Sequence, residues 1–321
     1  MPKSLVLNFH QETNSRMFEK MLLAMKARFE MVSAETIGQM AQTKTYRPSV
    51  AHITVDDGDR SFYDVILPLV EKHEVPVSLF VSPKIIKEKI NFWFQNIEGA
   101  NPHELKSIIA NYCDVPLDLL LPYDNGFLLK ALKIQDIHRI VDIYLSLHPK
   151  SRPAFQNINT DQLLEIDRSK WVAVGAHTMN HPILKNESDE SSAYEINHSI
   201  QELCEMLGRP VTLFAYPNGR PGIDFSEREK RLLRANGIQT AFSTEMNHLH
   251  NHLDPLSIPR MGFARMGLHP KNPLVSLRLQ LGKKWPDIRS IGRKPEPIMR
   301  RNIWNMMNQK THQPTTKLVH A

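Results

Sequence analysis

Only two cysteines, Cys113 and Cys204, occur in 321 residues, far apart and with no Cys-x-x-Cys pair. A disulfide framework is therefore not suggested, which suits a reducing compartment. No run of eighteen apolar residues exists, so a membrane-spanning helix is excluded on the sequence. The apolar run within Met1-Pro-Lys-Ser-Leu-Val-Leu-Asn-Phe-His10 is too short for a secretory signal, and the expected location is the cytoplasm. No glycine-rich phosphate loop follows the first predicted strand, which argues against a dinucleotide fold. The body of the chain also has little net charge. Residues 283–321 carry nine Lys or Arg against Asp287 and Glu296, a balance of +7, while the whole chain stands at +6.

What is present is an ordinary globular composition, 41% hydrophobic and 23% charged, in a chain long enough to bury a sizeable core. Short β-like runs at 5–9, 51–55, 77–81, 172–176, 211–216, 239–243 and 257–261 alternate with helical patterns at 16–29, 61–73, 195–207 and 226–235. Buried parallel strands alternating with amphipathic helices predict an α/β fold. Seven strands over this length predict a closed or nearly closed (β/α)7-type barrel rather than an open sheet of two halves. Between the third and fourth of these strands, about 91–160, the pattern turns helical (102–110, 126–132, 134–147) and opens with Asn91-Phe-Trp-Phe94. This is read as a helical insertion over one side of the barrel mouth; packing and sugar stacking both account for the three aromatics. The chain thus divides into a catalytic-type domain at 1–282 and a basic tail at 283–321. The tail is either a solvated end or a surface tether to anionic lipid or acidic glycan, with Trp285, Ile303, Trp304, Met306 and Met307 available for apolar contact. Nucleic acid is not an expected partner, because no binding module accompanies the charge.

In such barrels the chemistry gathers at the C-terminal ends of strands. His10, the pair Asp56-Asp57, His177 and the stretch after Tyr216 all fall at predicted strand ends. In Gly175-Ala-His-Thr-Met-Asn-His-Pro182 two imidazoles stand four residues apart, read here as one helical turn. With a carboxylate from Asp57 they make a facial 2-His-1-carboxylate set that suits zinc, with cobalt, nickel or iron as alternatives. Water at such a site ionises near neutral pH and can attack a carbonyl. Asp56 and Asp57 cannot point the same way if both continue the strand, which makes Asp56 the economical general base. Asp59 and Arg60 are expected to brace this loop. His248, His250 and His252 read either as an exposed polar loop or as a second metal site.

Together these residues resemble the polysaccharide deacetylases, the NodB-homology or carbohydrate esterase family 4 enzymes. Thr54-Val-Asp-Asp-Gly-Asp-Arg-Ser-Phe-Tyr63 looks like their first motif, His177-Thr-Met-Asn-His181 like their second, and Phe214-Ala-Tyr-Pro-Asn-Gly219 like the third, which lines the groove. The resemblance spans roughly 4–262. It implies a distorted barrel and hydrolysis of an N-acetyl group from an amino sugar, with release of acetate. It further implies Asp56 as base, Asp57, His177 and His181 as metal ligands, Tyr216 and Asn218 as substrate or oxyanion contacts, and Thr178 as support for a ligand. Where many members carry an arginine in the third motif, this chain has Ala215; Arg260, in Ile258-Pro-Arg-Met-Gly262, is expected to supply the guanidinium instead. This pattern is similar to a variant subgroup from capsule, lipopolysaccharide and exopolysaccharide clusters.

The family's late Leu-x-x-His motif is not obvious in this chain, which leaves the general acid open; His10 is a site residue of undefined role and His269 an outside candidate for the acid. The expected substrate is an acetylated amino sugar in polymer, lipid-linked or nucleotide-linked form, and a basic tail suits an enzyme that is cytoplasmic yet membrane-associated. Two other functions use the same residues: deacylation of another ester, amide or formamide, and glycan binding without turnover.

Overall fold

The computed structural model describes residues 2–262 and 296–308. His269, Trp285 and the tail residues 283–295 and 309–321 lie outside the described residues. Among the described residues eight strands form one parallel sheet: β1 Leu5–Phe9, β2 Glu30–Met31, β3 Val50–Val55, β4 Val77–Val81, β5 Val172–Ala176, β6 Leu213–Ala215, β7 Thr240–Phe242 and β8 Met261–Gly262. The order is β7-β6-β5-β4-β3-β1-β8, with β2 on the first residues of β3. Met261 and Gly262 pair with Leu7 and Asn8, while Ile258, three residues earlier, bridges Phe242. One short segment therefore touches both edges of the sheet and closes it into a distorted (β/α) barrel.

The predicted strands lacked β2, so the helical insertion lies between the fourth and fifth strands in chain order. Two half-exposed residues give no periodicity to read. The helix expected at 61–73 also divides, into a π-helical stretch Phe62–Ile66 and an α-helix Leu67–Lys72. Pro68 supplies no N–H there, which removes a rung of the α ladder.

The strands read as nearly continuous apolar runs, as buried parallel strands do. Alternate residues nonetheless do different work. Leu5, Leu7 and Phe9 of β1, Ala51, Ile53 and Val55 of β3, and Val77, Leu79 and Val81 of β4 pack with helix residues such as Phe18, Met21 and Leu22. The intervening positions face the other way: Val6, Phe80, Leu213, Ala215 and Phe242 cluster together there, and with them stand the polar Asn8, His52, Thr54 and Ser78, all buried. Burial pushes the His52 imidazole down to about 4. It is held neutral, Nδ1 donating to Val32 O at 2.8 Å and Nε2 accepting from the Ser78 hydroxyl at 3.0 Å. Gly175 in β5 sits where a Cβ would come within 2.5 Å of the Phe80 ring and 2.8 Å of Leu213 O, so β5 and β6 approach only because that residue has no side chain.

The chain divides into two compact units, one of residues 1–91 and 155–291 that contains the barrel, the other of 92–154 and 292–321. In the second, the helices Pro102–Cys113, Asn125–Leu129 and Ile134–Leu147 enclose a core of Leu105, Ile109, Leu128, Ile137 and Ile140. Trp93 belongs to that core and Phe92 is buried, so packing accounts for both. Ile303 and Met307, from the helix Glu296–Asn308, are buried in the same cluster. Their side chains are committed to this core, which corrects the reading of them as contacts for an external surface. No helix among the described residues is long and apolar enough to cross a membrane.

Candidate active site

The site is built by the loops that follow β1, β3 and β5, together with the segment that closes the barrel. After β3 the Asp56 N–H still donates to Phe9 O at 2.9 Å, one residue beyond the strand. Asp57 and Gly58 then both adopt left-handed conformations, φ 73° and 72°. Aspartate tolerates that region better than most side chains, and the turn gives the two adjacent carboxylates separate directions. Asp59 braces the loop as expected, its Oδ1 accepting from Ser61 N at 2.8 Å. Residues 156–158 hold it from outside, with Ile158 N donating to Gly58 O and Arg60 N to Gln156 O, both at 2.9 Å.

After β5 the chain is irregular, not helical. Thr178 has φ 64° and His181 φ 58°; a left-handed residue costs an L side chain about 1–2 kcal/mol and cannot continue a helix. The two histidines thus converge through a bent loop, which corrects the helical-turn reading of their spacing. Left-handed non-glycine residues at Asp57, Thr178, His181 and, in the third motif, Asn218 mark all three motif loops, the pattern of strain held at functional sites. Thr178, fully buried, accepts from His181 N at 3.1 Å and donates to His177 O. Ser82, at the end of β4, donates its hydroxyl to the same carbonyl at 3.0 Å.

His177 Nδ1 donates to Ala215 O at 2.7 Å, which leaves Nε2 with its lone pair. That Nε2 lies 3.5 Å from Asp57 Oδ1, and His181 Nε2 lies 3.6 Å from the same oxygen. All three groups are buried, and their ligand atoms lie within 4.8 Å of one another. Asp57 Oδ1 is itself buried without a hydrogen-bond partner. One carboxylate oxygen and two imidazole nitrogens, so oriented, fit a divalent cation of the zinc type. Burial works to raise the Asp57 carboxyl, but His177, His181 and His10 together hold it well below the usual carboxylate range. Among the described residues no other group of three such side chains comes this close. His250 and His252 are exposed, in keeping with a polar loop.

Asp56 faces a different partner. Arg260 grips it bidentately, Nη1 to Oδ1 at 2.7 Å and Nη2 to Oδ2 at 2.9 Å. Arg260 is only 1% exposed and makes further bonds: Nε to Ser243 O at 3.0 Å, and Nη1 also to Thr54 Oγ1 at 3.1 Å and Asn8 Oδ1 at 3.3 Å. Asn8 Nδ2 in turn donates to Asp56 Oδ2 at 3.2 Å. Burial opposes the charge on Asp56, yet Arg260 and the nearby histidines keep its carboxyl below the ordinary value. His10, exposed just past β1, is near enough to both carboxylates to add to this pull.

The third-motif residues part company. Tyr216, expected at the substrate or oxyanion, is fully buried: its hydroxyl donates to Leu256 O at 3.0 Å, its N–H to Phe242 O at 3.2 Å, and its ring stacks on Phe225 at 3.6 Å. Its side chain is thus packed in the interior, against Phe225 and Leu256. Asn218 is half-buried, with a buried Nδ2 that has no hydrogen-bond partner. Residues that the sequence reading missed are Asn8 and Thr54, which share Arg260 with Asp56, and Glu195, which accepts from Met179 N, Asn180 N and Asn180 Nδ2. For Asn8 and Thr54 a signal existed: they are polar intrusions at alternate positions of apolar strands, Leu5-Val-Leu-Asn-Phe9 and Ala51-His-Ile-Thr-Val55.

Comparison with known proteins adds to this geometry. A family model described as polysaccharide deacetylase matches residues 43–241. No curated protein matches the chain. Among solved structures, the deacetylase PplD of Streptococcus pyogenes, in complex with acetate, is 17% identical at a TM-score of 0.55, covering 86% of this chain and 98% of that one. IcaB from Ammonifex degensii is 17% identical at 0.56, covering 87% and 98%. A de-N-acetylase from Aggregatibacter actinomycetemcomitans is 14% identical at 0.53, covering 86% and 99%. At such identities the likeness is one of fold.

Proposed function

We propose, from the premise that this chain belongs to the polysaccharide deacetylase family, that it hydrolyses the N-acetyl group of an amino sugar in a surface polysaccharide, a glycolipid or their precursor. The observation that carries this reading is the convergence of Asp57 Oδ1, His177 Nε2 and His181 Nε2 beside a second carboxylate, Asp56, that takes no part in their cluster. Asp57, His177 and His181 would hold a divalent metal, zinc first and cobalt, nickel or iron as alternatives. Such an ion polarises a carbonyl and acidifies water.

The chain's own residues do the rest. Asp56 takes the proton of the attacking water as the C–O bond forms at the acetamide carbonyl. Arg260 and Asn8 fix the direction of its carboxylate and keep it ionised. Asn218, with its unpartnered Nδ2, is the side chain of the third motif suited to donate to the developing oxyanion. His10 adds positive potential at the mouth when protonated. The C–N bond then breaks as the leaving nitrogen takes up a proton, balancing the one that Asp56 accepted, and acetate and a free amino sugar leave. A lipid-linked or nucleotide-linked sugar is the form that a cytoplasmic enzyme would meet.

The test is acetate release from a panel of N-acetylated hexosamines, as monomers, oligomers and nucleotide sugars, set beside formamides, simple amides and aryl esters. Release from at least one acetylated amino sugar is expected, lost on chelation and restored by zinc. Turnover confined to esters or formamides would transfer the activity to another deacylase class. Binding of acetylated glycan with no release from any substrate would leave a glycan-binding protein.

A further inference from the structure

The segment between the two histidines is short, buried and bent into left-handed conformations at Thr178 and His181. Backbone of that kind persists only where its surroundings over-determine it, and one side chain dominates those surroundings. Glu195, on the first turns of the helix Asp189–Leu207, is 2% exposed. Its Oε2 accepts from Met179 N and Asn180 N, both at 2.9 Å, and its Oε1 from Asn180 Nδ2 at 2.6 Å. Asn180 carries the connection further, its Oδ1 accepting from Lys84 Nζ at 3.1 Å, at the start of the helix Pro83–Glu88. Two consecutive peptide N–H groups and one side chain are thereby fixed to a single carboxylate. Those peptides lie midway between the imidazoles that converge on Asp57. Glu195 is not in the ligand cluster, and no step of the proposed reaction uses it.

We propose that Glu195 is a positioning residue of the metal centre. It holds residues 179–180 so that His177 and His181 already direct Nε2 toward Asp57 Oδ1 before a metal arrives. The chain's affinity for the metal then depends on a side chain that never touches the ion. The inference rests on the reading of Asp57, His177 and His181 as metal ligands. A carboxylate that merely satisfied two buried N–H groups would affect stability and leave metal affinity alone, and this difference can be measured.

The experiment is a zinc titration of the full chain against a chromophoric chelator, with the visible spectrum of the cobalt-loaded protein as a report on ligand geometry. Glu195→Ala is expected to weaken zinc binding about 10–100-fold, the range found when groups that orient metal ligands are removed. Glu195→Gln keeps an oxygen for the two peptide N–H groups but sets its NH2 against Asn180 Nδ2, so a loss of zinc affinity clearly smaller than that of Glu195→Ala is expected. Asn180→Ala leaves both peptide N–H hydrogen bonds to Glu195 in place and removes the side-chain contacts to Glu195 Oε1 and Lys84 Nζ, for an expected loss of about 3–10-fold in zinc affinity. Unchanged zinc affinity in the alanine variants, or a Glu195→Gln chain as weak as Glu195→Ala, would overturn the proposal. If Glu195→Ala does not fold, Asn180→Ala decides: unchanged affinity and an unchanged cobalt spectrum there also refute it. A wild-type chain that binds no zinc would instead remove the metal centre itself, an outcome distinct from these.

Discussion

Replacing Asp56 by asparagine is expected to slow acetate release about 10²–10⁴-fold while metal content stays at the wild-type level. Asparagine has the size and shape of aspartate, so the pocket between Arg260 and Asn8 stays filled. It cannot take a proton at neutral pH, and its amide nitrogen would face a guanidinium N–H that now meets a carboxylate oxygen at 2.9 Å or less. Asp56 stands apart from the ligand cluster of Asp57, His177 and His181, so the metal should be indifferent to the change. Elemental analysis and acetate release on the same preparation check both halves. An asparagine variant with more than a tenth of wild-type turnover would exclude Asp56 as the base, and one that lost its metal would make Asp56 a ligand instead.

Arg260→Met is expected to destabilise the fold by about 3–5 kcal/mol, because it leaves a buried carboxylate without its charge partner. The side chains of Arg260 and Asp56 are 0% and 3% exposed. Without the guanidinium, what remains to the Asp56 carboxylate is the long hydrogen bond from Asn8 Nδ2 at 3.2 Å. The bonds from Arg260 to Ser243 O and Thr54 Oγ1 would go as well. Arg260→Lys keeps the charge and loses the fork, so an intermediate loss is expected. Combining Arg260→Met with Asp56→Asn should recover a substantial part of the stability, since the orphaned charge is then gone. Urea denaturation of wild type, Arg260→Met, Arg260→Lys, Asp56→Asn and the double variant checks this. Methionine costing under about 1 kcal/mol, or a strictly additive double variant, would mean that the pair does not hold the interior together.

Much of this site could be read from the sequence because the chemistry restricts residue type. A carboxylate pair ending one apolar run and two histidines after another have few uses in an alternating α/β chain, and the barrel follows from the same alternation. Arg260 is harder to read. Nothing local distinguishes Pro259-Arg260 from a solvated arginine. Only the resemblance suggested it, and its partners Asn8, Thr54 and Asp56 come from strands more than two hundred residues earlier.

Other features were not legible, for physical reasons. A spacing of four residues fits a helical turn as well as a bent loop. In the fold the bend meets a tertiary acceptor, Glu195 on the helix Asp189–Leu207, which takes the N–H groups of Met179 and Asn180 and which no local spacing reveals. Tyr216 carries a polar group, but whether that hydroxyl faces a substrate or Leu256 O depends on a segment forty residues away. Ile303 and Met307 read as tail residues because their partners, such as Ile109 and Ile137, lie far back in the chain.

The central claim, a deacetylase whose activity depends on the Asp57–His177–His181 centre, is tested most directly by adding zinc to the metal-stripped full chain and following acetate release from an N-acetylated hexosamine substrate. The expected result is a rate that climbs in proportion to zinc and levels off at about one equivalent per chain, with no such rise in His181→Ala. Acetate release that is independent of zinc, or a His181→Ala chain that responds as wild type does, would contradict it.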